Sequence, residues 1–319
     1  MAPNWTTKMA LARRRNKLTV VARRAILFVA IVLCALPASA ADWRAETGTF
    51  RIGFVMRNDE AGARRRLEGF RTLVSEALSM PVEIFAARDA SALIDAMATS
   101  RIEYGVFSAL GYATAFELCE CVEPVAAPVN RDGATGMRSV LIADTARISR
   151  ITDLAGLPIA RGPENSLGGD LLPSTGFRWQ GRPLAEAGLD FVPAETTQQS
   201  LRLLADGEVA AAFLWEYVRP GSPAVFADGP RAYLDELSPD GFAVLWRSEA
   251  IRFGPHAVRR NLPSEAKTAL RRLLLGLART DPAVYDSVSP DLGGGFEATV
   301  ADEYRSATAL VAAIGTRGE

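Results

Sequence analysis

Histidine is almost absent from this sequence, which contains a single one, His256, in 319 residues. Cysteine is also scarce, and only Cys119 and Cys121 lie beyond the N-terminal segment. A metal site in a protein usually needs three or four side-chain ligands, mostly His and Cys. We therefore predict no metal and no other cofactor. One intervening residue disfavours a disulfide, although an oxidising compartment would permit one, so we expect Cys119 and Cys121 to be small packed residues.

Lysine is equally rare, because Lys267 is the only one after residue 40. Residues 1–40 carry seven Lys and Arg and no acid, and the rest of the chain has 29 basic against 37 acidic residues, a balance of about −8. This part of the chain contains no basic block. The charge pattern therefore argues against a nucleic acid partner.

Motifs of common enzyme classes are missing as well. The sequence has no phosphate loop of the G-x-x-x-x-G-K-[ST] type and no G-x-G-x-x-G. Ser166 follows a predicted strand as a nucleophile elbow would, but Glu164 occupies the position of the first elbow glycine. A Ser-His-Asp triad would have to use His256. We predict a protein that is not an enzyme, with a serine hydrolase acting through Ser166 as an alternative.

The first forty residues predict a secretory signal peptide. Seven basic residues precede an apolar run, Ala25 to Leu36, and Pro37-Ala38-Ser39-Ala40 resembles a cleavage site. The run is shorter than the roughly 20 residues of a membrane span. We predict cleavage before Ala41 and location in the periplasm. A retained N-terminal anchor is the alternative.

Two stretches of alternating strands and helices follow. Predicted strands at 49–56, 82–86 and 104–108 alternate with helices, which indicates a parallel sheet covered on both faces. Further strands are predicted at 122–129 and 139–143. The alternation restarts with strands at 159–161, 191–193 and 210–215 and helices at 169–179 and 198–204, and the last third is mostly helical. The pattern predicts an α/β protein with two doubly wound lobes.

Extended runs near 139–145 and 242–253 are predicted to join the lobes. We expect residues 41–140 and 250–319 to form one lobe, residues 141–249 to form the other, and the C-terminal helices to pack on the first. A cleft between such lobes, at the carboxyl ends of the strands, is a common ligand site. Opening and closing would bend the joining segments.

The strongest candidate site is the polar turn after the strand at 159–161. Asn165, Ser166, Gly168 and Gly169 would place bare backbone N–H groups at a helix N-terminus, where an anion binds well. The alternative is an ordinary helix cap, in which Asn165 or Ser166 satisfies the N–H groups.

Five further residues are candidates because they follow or end predicted strands. Three of them have a structural alternative, which is a solvated arginine for Arg57, packing between the lobes for Tyr112 and a core position for Trp215. The five candidates are Arg57 after the first strand, Ser108 and Tyr112 on the turn after the third, and Trp215 and Glu216 at the end of the strand at 210–215.

Several blocks of the chain, in order, resemble the periplasmic substrate-binding proteins of phosphate, phosphite and phosphonate ABC transporters. The blocks are Glu123–Ala126, Asn130–Gly133, Ser139–Ala143, Ile151–Gly156, Ser166–Pro173, Asp206–Ala212 and Asn261–Glu265. The resemblance implies a type II periplasmic-binding-protein fold, with a hinged cleft between two lobes. It also implies delivery of a small ligand to an ABC permease in the inner membrane.

The resemblance also bears on site residues. A Ser-Thr-Ser-Gly anion cradle in the family is similar to Ser166 through Gly169, with two hydroxyl positions lost, and an aromatic residue of the family matches Tyr112. A Ser-His-Asp block corresponds to a stretch centred on Thr197, so the histidine is absent. An acid at the end of the next strand is replaced by Trp215. The resemblance therefore implies an oxyanion or polar ligand held differently from the usual one.

We predict a monomeric periplasmic solute-binding protein that captures a phosphonate-, phosphite- or phosphate-like ligand for uptake. One alternative is a sensor that presents its closed form to a membrane histidine kinase. Another is a purely structural periplasmic protein, for which no ligand would raise the stability.

Overall fold

A computed structural model describes residues 42–56, 59–219, 221, 229–238 and 240–315. The predicted signal peptide and Arg57 lie outside these residues. Within the described ranges, no helix combines the length and the apolar character that a membrane crossing requires. A short helix, α1 (Trp43–Thr47), belongs to an N-terminal unit, and a second compact unit begins at Gly48.

The second unit contains helices and strands over its whole described length. The helices are α2 (Glu60–Leu78), α3 (Ala90–Ala98), α4 (Ala109–Cys119), α5 (Leu172–Gly176), α6 (Thr197–Ala205), α7 (Pro230–Leu237), α8 (Ser264–Thr280), α9 (Pro282–Val288) and α10 (Arg305–Gly315). The strands are β1 (Phe50–Val55), β2 (Val82–Ala87), β3 (Tyr104–Val106), β4 (Val122–Asn130), β5 (Gly136–Asp144), β6 (Pro158–Arg161), β7 (Arg178–Trp179), β8 (Arg182–Pro183), β9 (Asp190–Pro193), β10 (Ala211–Val218), β11 (Phe242–Arg247), β12 (Ile251–Arg252), β13 (His256–Arg259) and β14 (Gly293–Ala298).

The first large sheet is mixed, with the strand order β14-β4-β13-β3-β1-β2. Its β1, β2 and β3 run parallel, as the alternation of strands and helices predicts, while β13 is antiparallel to both β3 and β4. Strands β13 and β14 also join this sheet, although the last third of the chain was predicted to be mostly helical. Helix α8 packs on β14 and α2, and α10 packs on α4, which confirms that the C-terminal helices cover the first sheet.

The second large sheet has the order β11-β5-β10-β6-β9, with β12 paired to β5. The parallel strands β6, β9 and β10 point their carboxyl ends toward one edge, and β5 enters the sheet antiparallel at that edge, where Gly136 faces Val218. The runs at 139–145 and 242–253 therefore belong to the ladder of the second sheet. The chain passes between the sheets at 131–135 and 253–255, so the predicted positions of the crossings are wrong. The lobe boundaries themselves stay a prediction.

Local signals explain where several helices begin. Asp89 caps α3 by accepting a hydrogen bond from the Ala92 N–H at 2.7 Å. Ser108 caps α4 by accepting from the Gly111 N–H at 3.0 Å. Both caps follow the carboxyl end of a strand, which fixes the N-termini of these two helices at the same edge of the first sheet.

The predicted helix at 169–179 is wrong in its form. A π-helical turn, Leu167–Leu171, leads into the single turn of α5, and Arg178 then starts the small hairpin of β7 and β8. The helix ends early because Phe177 is extended and its side chain is fully buried against Phe213 and Trp246. Burial of that ring outweighs the local helix preference.

Cys119 and Cys121 form a disulfide, contrary to the expectation of two small packed residues. Helix α4 ends at Cys119, and Glu120 takes a left-handed conformation with φ of 46°. That turn sets the two Cα atoms 5.0 Å apart, inside the range that a disulfide spans. A single left-handed residue thus brings the two cysteines into disulfide geometry although only one residue separates them.

The two sheets are linked by an apolar cluster and by an ion pair. Leu167 and Leu172 pack against Ala109, Ala113 and Leu310 of helices α4 and α10. Beside the first crossing, the Arg219 Nε donates to the Gly133 carbonyl at 2.6 Å, and its terminal nitrogens donate to Glu297 on β14 at 2.8 and 3.1 Å. These hydrogen bonds hold the pKa of Glu297 below its usual value. Arg219 thereby ties the end of β10 to the first sheet.

Candidate functional site

The turn between β6 and α5 is closed by two glycines in backbone contact. A Cβ added to Gly169 would lie 2.7 Å from the Gly162 Cα, and a Cβ on Gly162 would lie 2.8 Å from the Gly169 Cα. No real Cβ tolerates such distances, so both positions require glycine. The Gly162 N–H donates to the Gly169 carbonyl at 3.2 Å, which closes residues 163–168 into a loop.

Asp170 fixes this loop from inside. Its carboxylate accepts from the Arg161 guanidinium, from the Asn165 N–H at 2.7 Å and from the Ser174 hydroxyl at 3.2 Å. The Asp170 side chain is 10% exposed, so these hydrogen bonds form largely away from water. The exposed Asn165 has a φ of 62°, a conformation that asparagine tolerates better than most residues. Asn165 therefore shapes the loop through its backbone.

Ser166 precedes the π-helical turn, and its side chain makes no capping hydrogen bond. Its Oγ is buried, has no hydrogen-bond partner among the described residues, and would lie 3.0 Å from a Cβ at Gly169. The Gly168 and Gly169 N–H groups lie in the first turn, where a helix supplies no acceptor, and neither has one among the described residues. The capping alternative predicted for Ser166 is therefore not observed, and the predicted N–H groups are left without an acceptor.

Trp215 lies beside this loop, held between two glycines. A Cβ on Gly168 would lie 2.7 Å from the Trp215 Cβ, and one on Gly229 would lie 3.0 Å from the indole ring. The Tyr217 ring packs at 4.9 Å between centroids. Trp215 is partly exposed, so it is not the buried core residue of the alternative interpretation. The tertiary structure thus brings two predicted site residues, Gly168 and Trp215, into direct contact.

A cavity of about 630 Å³ opens next to Trp215. It lies between α6 and α7, and its lining comprises Thr197, Gln198, Leu201, Arg202, Trp215, Gly229, Pro230 and Tyr233. Thr196 caps α6 by accepting from the Gln199 N–H at 3.1 Å. The Thr197 and Gln198 N–H groups have no acceptor among the described residues. The cavity therefore combines a helix N-terminus, a guanidinium and two aromatic rings.

Sequence reasoning missed most of this lining. Gln198, Leu201 and Arg202 have the i, i+3, i+4 spacing of one helix face, a signal that could have identified them once Thr197 was suspected. Nothing in the local sequence pointed to Tyr233, which reaches the cavity only because α7 packs beside α6 and β10.

Glu216 lies one residue beyond Trp215 and therefore on the opposite face of β10. Its carboxylate accepts from Arg138 Nε at 2.7 Å and from Arg247 Nε at 3.1 Å, and its side chain is 12% exposed. Two guanidiniums thus engage the acid next to Trp215. Its placement favours an ion-pair role across β5, β10 and β11.

The first sheet has its own cavity, of about 620 Å³, at the carboxyl ends of β1 and β3. Ser108 lines it together with Phe54, Val55, Ala90, Leu93, Val106, Phe107 and Gly111. Ser108 is exposed, although its Oγ already caps α4. Apart from Ser108 the lining side chains are apolar.

Tyr112 lies on α4 and lines neither of these two cavities, because its side chain points into the core. It is 1% exposed, and its ring packs 4.7 Å from the Tyr304 ring and 6.3 Å from the Phe116 ring. Burial raises the pKa of Tyr112 to about 12. The Tyr112 position favours the packing alternative over contact with a ligand.

His256 is also a core residue. Its Nδ1 is hydrogen-bonded to the Tyr104 hydroxyl, and its ring packs on Phe296 at 4.7 Å. Burial lowers the pKa of His256 to about 3. His256 lies on β13 of the first sheet and Ser166 beside the second, so the geometry gives no support to the hydrolase alternative.

The sequence profile of one family matches residues 52–304. Its description is "ABC transporter, phosphonate, periplasmic substrate-binding protein". The matched region includes both sheets and both cavities. It leaves out only the N-terminal segment and the end of the chain.

Solved structures share the fold at low sequence identity. A binding protein component of a phosphonate ABC transporter from Pseudomonas aeruginosa has a TM-score of 0.48 and 21% identity, over 82% of this chain and 85% of that one. PhnD1 from Prochlorococcus marinus, in complex with methylphosphonate, has a TM-score of 0.50 and 15% identity, over 84% and 99%. A Xanthomonas citri protein bound to ATP has a TM-score of 0.54 and 14% identity, over 84% and 98%. The family match, together with the two structures at TM-scores of 0.50 and 0.54, confirms the predicted type II periplasmic-binding-protein fold.

Proposed function

The chain belongs to the family of periplasmic substrate-binding proteins of phosphonate ABC transporters, and from this premise we propose that it binds a small organic oxyanion in the periplasm and delivers it to an ABC permease. The observation that carries the proposal is the cavity beside Trp215, which is lined by a guanidinium and by the N-terminus of α6, the helix that follows the carboxyl end of β9. The relative from Prochlorococcus marinus, bound to methylphosphonate, supports an anion of this kind.

The anion-binding groups of the proposed site are named from the cavity lining. Arg202 is exposed and makes no ion pair with the described residues. The first N–H groups of α6, at Thr197 and Gln198, carry the positive end of the helix dipole. The loop N–H groups at Gly168 and Gly169, with Ser166, are proposed as a second set of donors on the other side of Trp215.

The first-lobe cavity with Ser108 is proposed to cover the ligand when the lobes close. Ligand binding would then stabilise the closed form, which the permease recognises. Closure would bend the two crossings at 131–135 and 253–255. A monomer is sufficient for this cycle.

A ligand screen on the protein from residue 41 onward tests the proposal. Methylphosphonate, phosphite, phosphate, methanesulfonate and organic acids are added separately while the melting temperature is measured. A true ligand at 100 times its Kd stabilises the folded state by about 2.7 kcal/mol. Arg202→Gln should weaken that ligand about tenfold, whereas Arg178→Gln, an exposed arginine outside the cavity lining, should leave it unchanged. If no oxyanion raises the melting temperature, the proposed function is wrong.

A further inference from the structure

The second-lobe cavity is larger than a simple oxyanion needs. An ion of five heavy atoms, such as methylphosphonate, takes up about 150 Å³ if each atom is given the volume of a water molecule, roughly 30 Å³. The cavity measures about 630 Å³. Most of its space is therefore left for another part of the ligand.

The cavity lining separates into two chemical halves. Thr197, Gln198 and Arg202 are polar or charged and come from α6. The other half is aromatic and aliphatic, with Trp215, Tyr233, Leu201 and Pro230. Tyr233 is 46% exposed, so part of its ring is open to a ligand. An amphiphilic ligand matches this division, with an anionic end toward Arg202 and an apolar end toward the rings.

The indole of Trp215 is held in place before any ligand binds. Gly168 leaves no room for a Cβ beside it, a Cβ at Gly229 would contact the indole tightly at 3.0 Å, and the Tyr217 ring packs against it. Gly229 has a φ of 110°, which excludes other residues on backbone grounds as well. A fixed aromatic surface loses little conformational entropy on binding a flat partner. The arrangement is thus suited to stacking against an aryl group.

We propose that the ligand of this protein carries an aryl or similarly flat apolar group, which lies against Trp215 and Tyr233 while the anionic group faces Arg202. The proposal rests on the proposed function and narrows its substrate class to aryl-substituted oxyanions. Trp215 and Tyr233 are then specificity-determining residues, because they contact a group that methylphosphonate lacks.

Calorimetric titration with phenylphosphonate and methylphosphonate tests the proposal. Phenylphosphonate should bind at least about tenfold more tightly, the effect expected from burial of one phenyl group. Trp215→Ala and Tyr233→Ala should each remove most of this preference, because each should weaken phenylphosphonate binding by more than methylphosphonate binding. Leu237→Ala is the matched control, because Leu237 is an exposed residue of α7 outside the cavity lining.

Three outcomes separate this proposal from the function on which it rests. Equal affinities for the two phosphonates, or variants that weaken both equally, overturn the aryl site and leave the oxyanion-binding function intact. Failure of both phosphonates to bind overturns the aryl site, and the wider oxyanion screen then decides whether the proposed function stands. If Trp215→Ala does not fold, Trp215→Phe and the exposed Tyr233→Ala replace it, and an unchanged preference for phenylphosphonate in Tyr233→Ala contradicts the proposal.

Discussion

His256 makes the stability of this protein depend on pH in a range where few other groups titrate. The imidazole is 1% exposed, and its neighbours Tyr104, Phe70 and Phe296 are uncharged. Burial raises the pKa of Tyr104 well above its usual value, so the hydroxyl stays protonated. His256 is the only histidine of the chain, and its contribution can therefore be isolated.

The size of the effect follows from the pKa of His256 in the two states. The pKa is about 3 in the folded protein and 6.5 for an unperturbed imidazole. The unfolded chain therefore binds the proton first, and the free energy of unfolding decreases as the pH falls below 6.5. At pH 5 the unfolded imidazole is almost fully charged while the folded one is neutral. This difference destabilises the folded protein by about 2 kcal/mol relative to pH 8.

Urea denaturation of the protein from residue 41 onward, purified without a histidine tag, measures this loss at pH 8, 7, 6 and 5. His256→Gln is the comparison, since its amide oxygen can still accept from Tyr104. The variant is expected to be less stable at pH 8, but its free energy of unfolding should decrease less between pH 8 and pH 5. The carboxylates titrate in both proteins, so the difference between the two profiles belongs to the imidazole.

The same titration followed by NMR reports one imidazole signal. We expect its chemical shift to stay constant from pH 8 to pH 5 in the folded protein. A midpoint near 6.5, or parallel urea profiles for the wild type and His256→Gln, would refute the buried neutral histidine.

Four further substitutions test the packing around the site. Gly168→Ala should cost about 1–3 kcal/mol of unfolding free energy, measured by urea, because its Cβ would collide with Trp215; unchanged stability contradicts that contact. Asp170→Asn should cost about 2 kcal/mol through the loop hydrogen bonds, and a change below 0.5 kcal/mol would count against them. Glu297→Gln breaks the ion pair with Arg219, and both side chains are more than a third exposed. The free energy of unfolding should therefore fall by about 0.2–1 kcal/mol at low salt and should not change at high salt. A loss that persists at high salt argues against an ion-pair effect. Tyr112→Phe removes a buried hydroxyl that has no hydrogen-bond partner among the described residues. Calorimetry should therefore find the ligand affinity unchanged, and thermal melting should find equal or greater stability. Weaker ligand binding by this variant would place Tyr112 in the site.

Much of the fold could be predicted because its signals are local. Strands β1, β2 and β6 begin and end within two residues of their predicted bounds, and Asp89 caps α3 through a hydrogen bond between near neighbours in the chain. The predicted helix at 169–179 failed because Phe177 is drawn into a core formed with Phe213 and Trp246, far along the chain. The disulfide of Cys119 depended on one left-handed residue that residue spacing does not reveal.

The candidate site was predictable only in part. The loop with Gly168 and the strand end with Trp215 were identified separately, and the structure joins them across 47 residues. Tyr112 and Glu216 were both chosen because they follow predicted strands, yet one is buried in the core and the other lies within β10 and pairs with two arginines. A position after a strand marks the correct edge of a sheet but does not fix the direction of a side chain.

The sequence by itself determined the class of fold and the family, since strand-helix alternation, caps and the order of short blocks are properties of neighbouring residues. Only the tertiary structure decided which candidates meet. Trp215 lies between Gly168 and Gly229, and Tyr233 reaches the same cavity, because two helices and a loop pack on one strand. Such contacts depend on the close fit of side chains from distant segments, which no local pattern encodes.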